Sequence, residues 1–195
     1  TVSLGKLKNT LYVNNFDKLT TMKNILILTL LLTYVVHSRA DQAPNFELPY
    51  LNNETRDSLL AHRGQIVLID FWASWCGPCQ QSLPEYNKLR NRIQTKYGEL
   101  SFEVLAINVD VTAKEANDFL RDKILSFPIL RANTGKTQQA YQLIGLPSSF
   151  LIDQHGTIVL SHQGFEPGFI KHLEQQITRY LNPEKLKKEA HSGVL

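Results

Sequence analysis

Apolar and polar positions alternate along this chain in blocks that read as strands and helices. Ile66–Phe71 is apolar at every position except Asp70. A β-branched run of that length predicts a central strand buried on both faces. Phe102–Val109 predicts a second such strand. Between them, from the cysteine motif to about Tyr97, Leu83, Tyr86, Leu89 and Ile93 fall at helical spacing and predict one buried helix face. Thr112 is placed to cap a further helix, with Ala116, Phe119, Leu120 and Ile124 inward. Shorter pieces follow: a strand at Phe127–Leu130, a helix at Gln138–Ile144, and strands at Ser149–Asp153 and Ile158–Ser161. Gln154-His155-Gly156 supplies the turn of that last hairpin. A closing helix over Phe169–Leu181 turns Ile170, Leu173, Ile177 and Leu181 inward. Upstream, Asn45–Pro49 reads as a short strand and Asp57–His62 as a turn of helix. This order calls for a mixed central sheet with helices on both faces. The Lys-rich stretch 182–195 reads as a loosely ordered polar tail.

The first forty residues follow a different logic. Met22-Lys23-Asn24 precedes a 12-residue apolar run, Ile25–Val36, and His37-Ser38-Arg39-Ala40 closes it. A basic start, a short apolar core and small residues at Ser38 and Ala40 predict a secretion signal over 22–40, cleaved after Ala40. A membrane span needs about 20 apolar residues, so an uncleaved anchor is the less favoured alternative. Residues 1–21 are then expected to be an upstream extension rather than part of the native protein. Charge supports the division. Residues 1–40 hold five basic side chains against Asp17 alone, a net +4, which leaves −1 of the chain's formal +3 for everything after them. That balance argues against a nucleic-acid partner.

The chain has only two cysteines, Cys76 and Cys79, in Trp75-Cys76-Gly77-Pro78-Cys79. A disulfide-stapled scaffold would use more of them, and a zinc ribbon would add two further ligands at metal spacing. The motif follows a buried strand and opens a helix. Unpaired amides and the positive end of the helix dipole there favour thiolate at Cys76, the attacking sulfur. Cys79 lies one turn on, where it can resolve a mixed disulfide. Pro78 fits the first turn, and Gly77 and Pro78 leave the flank bare for another protein's backbone. Trp75 reads as an exposed wall of the site and Trp72 as core. Asp70 is a candidate general base for the proton of Cys79; the alternative is a strand-end carboxylate that reaches water. Pro84 is expected to kink the helix. Gly164 reads as a conformational need, and the remaining histidines as solvated surface.

Phe71-Trp72-Ala73-Ser74-Trp75-Cys76-Gly77-Pro78-Cys79, with Asp70 before it and Pro84 after it, resembles thioredoxin. Ala43–Leu48, the stretch Phe119–Tyr141 and the segment Gly145–Gly156 resemble the extracytoplasmic TlpA-like disulfide reductases, over residues 43–181 in all. The resemblance implies an α/β thioredoxin fold over 41–181, with an N-terminal extension and a helix–strand insertion. It implies a cis peptide at Leu146-Pro147, placing a backbone edge beside the cysteines where substrate can pair. It also implies work outside the cytoplasm, usually as a reductase of protein disulfides fed by a membrane electron donor, with cytochrome c maturation a frequent task. The redox group is the Cys76–Cys79 pair itself, with no other cofactor and no metal, and a monomer is expected. Three positions depart from the pattern. Ala106 stands where thioredoxin carries a lysine near its buried aspartate, Ser82 where many TlpA-like proteins have glutamate, and Gly-Pro where their inter-cysteine pair often differs. Gly-Pro and Leu146 resemble reducing members. A disulfide-donating oxidase, a chaperone-like binding module and metal binding by the two thiolates are the alternatives.

Overall fold

A computed structural model describes Lys23 and residues 42–182. The expected extension at 1–21, secretion signal at 22–40 and tail at 182–195 fall outside these residues, save for Lys23 and Asn182. Along the described chain run β1 (Glu47–Pro49), β2 (Arg56–Ser58), a 3-10 turn (Leu59–His62), β3 (Ile66–Trp72), α1 (Gly77–Tyr97) and β4 (Phe102–Asn108). There follow α2 (Ala113–Leu120), β5 (Ile129–Arg131), α3 (Lys136–Ala140), β6 (Ser148–Ile152), β7 (Ile158–Gln163) and α4 (Pro167–Leu181).

Five strands form one sheet in the order β5-β4-β3-β6-β7. β3 runs parallel to β4, and β4 to β5, while β6 is antiparallel to β3 and β7 to β6. β1 and β2 form a separate antiparallel pair. This is the mixed, helix-flanked sheet expected of the thioredoxin fold, with the α2–β5 insertion between β4 and β6.

The two central strands are buried because both faces of the sheet are covered. Side chains alternate across a strand, so Ile66, Leu68, Asp70 and Trp72 share one face of β3. There the apolar members pack with Leu83, Tyr86 and Leu89 of α1 and with Phe169, Leu173 and Ile177 of α4. Val67, Ile69 and Phe71 face the other way, with Leu48, Leu59, Leu105, Leu130 and Tyr141. Each fully buried leucine or isoleucine of α1 contributes about 1.5–3 kcal/mol. α1 runs on through Pro84 to Tyr97.

Some expectations need correction. Ile124 is 92% exposed, because α2 stops at Leu120. Its last turn is closed by Lys123, whose amide bonds to the Leu120 carbonyl and whose Nζ bonds to the Phe119 carbonyl. α3 starts earlier and ends sooner than expected, and Ile144 is 87% exposed. The buried Tyr141 terminates it, its hydroxyl donating to the Pro44 carbonyl (2.7 Å). β2, three polar or charged residues, was not expected at all. Two histidines are not simply solvated: His62 bonds to Asp57 (3.1 Å) and Gln65 (2.9 Å), and His162 stacks on Phe169 at 3.8 Å.

Candidate active site

β3 delivers the chain to the site. Beyond Trp72 it turns through Ala73, whose carbonyl accepts from the Cys76 amide (3.2 Å). Cys76 is the N-cap of α1 and Pro78 lies in its first turn. The amide of Cys79 donates to Cys76 Sγ (3.2 Å), so one of the orphan donors of the helix end points at this sulfur. Cys76 and Cys79 are joined in a disulfide. Their surroundings differ: Cys79 is wholly buried and Cys76 keeps 5% of its surface. Gly77 and Pro78 are exposed, and a Cβ on Gly77 would meet nothing within 4 Å. Trp75 is 70% exposed while Trp72 is buried. Of the two cysteines Cys76 is therefore the less enclosed, beside a bare flank and an exposed indole.

The loop before Cys76 is clamped at Ser74. The amide and hydroxyl of Ser74 donate to the buried Asp110 (3.0 and 3.1 Å), and Gln80 Nε2 donates to the Ser74 carbonyl (2.8 Å). Asn108 Nδ2 donates to the same carboxylate (2.8 Å). Sequence reasoning passed over Asp110. Its place just past β4, which ends beside β3, was the available clue.

Asp70 lies within β3, fully buried, not at a water-exposed strand end. In register it faces Ala106 on β4 and Ser149 on β6. Ser149 Oγ donates to Asp70 Oδ1 (2.8 Å), while Oδ2 is buried with no hydrogen-bond partner. Burial drives its pKa up to about 8, opposed by the Ser149 bond.

The Leu146-Pro147 peptide is cis. Phe71 pairs with Ser148, so Pro147 falls at the end of β3 from which the cysteine loop departs. Leu146 packs against the cluster that holds both cysteines. The Pro147 carbonyl accepts from the Gly164 amide (2.8 Å), where Gly164 adopts φ +87°. Gly164 is thus the conformational need expected of it. Among the described residues the Leu146 amide and carbonyl have no hydrogen-bond partner, leaving a free backbone edge. No three His, Cys, Asp or Glu side chains come together among the described residues as a metal site would require.

The AhpC/TSA family profile matches residues 40–161. The thiol-disulfide oxidoreductase ResA of Bacillus thuringiensis subsp. konkukian is 31% identical over 140 residues, covering 72% of this chain and 75% of that protein. The chain is a TlpA-like member of the thioredoxin superfamily. A crystal structure from Chlorobium tepidum, described as a thiol:disulfide interchange protein DsbE, superposes with a TM-score of 0.64 at 40% identity. It covers 72% of this chain and 96% of its own. StoA of Bacillus subtilis shares the fold at 24% identity, with a TM-score of 0.56 over 68% of this chain and 96% of its own. As a TlpA-like protein the chain is a thiol–disulfide oxidoreductase, an enzyme whose substrates are protein thiols and disulfides.

Proposed function

We propose that the protein works as a reductase of protein disulfides through Cys76 and Cys79. The observation that carries this reading is the asymmetry of the pair: Cys76 keeps exposed surface at a helix N-terminus, and Cys79 is wholly enclosed. In the reduced protein the Cys76 thiolate attacks one sulfur of the substrate disulfide. That bond breaks, a mixed disulfide forms, and the first substrate thiolate leaves to take a proton from solvent. Cys79 then gives its proton to Asp70 and attacks Cys76 Sγ. The second substrate thiolate departs, and two electrons have passed from the cysteine pair to the substrate. A carboxyl held at about 8 lies close to an ordinary thiol near 8.5, so the proton moves between groups of similar affinity.

Trp75, Gly77 and Pro78 form the face that receives the substrate, and the free edge of Leu146, beside Pro147, pairs with its backbone. The Gly-Pro pair and Leu146 favour the reducing direction, as in the reductases they resemble. The expected secretion signal supports work outside the cytoplasm, in the periplasm or its equivalent, with a membrane protein restoring the dithiol. Maturation of cytochrome c is the task that resemblance suggests, and a monomer suits a site that must meet other proteins. Equilibration against glutathione and dithiothreitol buffers tests the direction. A potential near or below about −220 mV supports a reductase, and one near about −120 mV makes the protein a disulfide donor instead.

A further inference from the structure

Asp70 occupies the position of a buried aspartate whose partner, in the pattern this chain resembles, stands on the neighbouring strand. Here that neighbour is Ala106, which offers nothing polar. The strand on the other side supplies a partner instead. Asp70 and Ser149 are directly opposed in the β3–β6 register, so their side chains share one face, and Ser149 Oγ lies 2.8 Å from Asp70 Oδ1. Ser149 Oγ also lies 3.0 Å from the Tyr86 hydroxyl. A serine hydroxyl has one proton to give. When Asp70 is ionised that proton is committed to Oδ1, so Tyr86 donates to Ser149, and the chain runs Tyr86 to Ser149 to Asp70. All three residues are essentially buried, so water does not compete for these bonds.

We propose that Ser149, itself held by Tyr86, is a positioning residue for the proton transfer from Cys79, fixing Asp70 through Oδ1 and leaving Oδ2 free to receive the proton. This deepens the reading of Asp70 as base and rests on it. Hydrogen bonding to the ionised form favours that form, so the hydroxyl chain sets how much carboxylate is present to act. Tyr86 stays a donor throughout, because burial, and next the charge of Asp70, push its pKa well up. The groups that face Asp70 are few. α1 contributes Tyr86, whose hydroxyl reaches Ser149, and buries Cys79 and Ser82 beside it on the helix; β4 contributes Ala106, and β6 contributes Ser149, with His162 of β7 beyond it in register. α4 turns Phe169, Leu173 and Ile177 toward this face. Of these only Cys79, Tyr86 and His162 carry ionisable side chains, and His162 is stacked on Phe169.

The test is the pH profile of a single turnover in which the reduced full chain reduces insulin disulfides, between about pH 5 and pH 10, for wild type, D70N, S149A, S149T and Y86F. A bond to a charged group is worth about 1.5–3 kcal/mol, or one to two pH units at about 1.4 kcal/mol each. S149A is therefore expected to move the Asp70 limb upward by about one unit and to slow the step about tenfold at neutral pH. S149T restores the wild-type midpoint, Y86F shifts it upward by less, and D70N lacks the limb. An S149A midpoint equal to wild type, or an S149T midpoint as displaced as that of S149A, overturns the inference. If D70N keeps the limb, the base is not Asp70 and both readings fall; if D70N loses it while S149A does not shift it, only this inference falls. Should S149A not fold, Y86F decides alone: an upward shift supports the chain, and an unmoved midpoint refutes it.

Discussion

Two buried carboxylates lie toward the end of the sheet from which the cysteine loop departs, and the protein treats them oppositely. Asp110 is 1% exposed and takes bonds from the Ser74 amide, the Ser74 hydroxyl and Asn108. Both of its oxygens are engaged, and what they hold is Ser74 at the start of the cysteine loop and the Asn108 side chain. Asp70 is equally buried but receives one bond, from Ser149, and keeps one oxygen without a partner. Burial is common to both, so burial does not assign the role. The supply of donors does: the saturated carboxylate is a strut, and the undersupplied one remains able to take a proton.

Substitutions at the two positions should therefore act in opposite senses. Asp70 is the larger effect. An unfolded aspartate releases its proton near pH 4, whereas folded Asp70 holds it to about 8. Between those values the folded state binds more protons, so stability falls as pH rises, and above about pH 8 the full penalty is present. D70N removes this dependence. It should raise stability near pH 7 by up to roughly 4 kcal/mol, about three units at 1.36 kcal/mol each. Urea melts of the oxidised protein across that pH range measure it, and a wild-type stability flat from pH 4 to 8 would contradict the burial account. D110A should do the reverse, costing about 3 kcal/mol because the part-buried donors of Ser74 and the buried Asn108 amide lose their acceptor. The same melts would show it, and a cost below about 1 kcal/mol would mean that water replaces the carboxylate. The smallest effect is at the tip of the loop that Asp110 holds. W75A, at an exposed position, should change stability by less than about 0.5 kcal/mol while raising KM for a protein disulfide and leaving turnover of a small disulfide such as oxidised glutathione unchanged.

What could be read from the sequence was whatever a local pattern encodes. β3 and β4 were legible as long apolar runs, α1 from the spacing of Leu83, Tyr86, Leu89 and Ile93, and the disulfide pair from its place between strand and helix. Ile124 and Ile144 misled because apolar residues at helical spacing do not say where a helix stops; a lysine side chain and a buried tyrosine ended those helices. β2 was silent because Arg56–Ser58 is too short and polar to show alternation. The cis proline became legible only through the likeness to a family. Ser149 and Tyr86 were hidden for a different reason. Their link to Asp70 depends on which strand lies beside β3 and in what register, and nothing local in the chain states that. Tyr86 was visible only as one more apolar position on a helix face.

The most direct test of the account is to trap its intermediate. Reduced C79S should accumulate a mixed disulfide between Cys76 and a disulfide-bonded protein such as insulin, released by dithiothreitol, while C76S should form none under the same conditions. Trapping through Cys79 in C76S, with none in C79S, would contradict the order of attack that the unequal burial of the two cysteines implies.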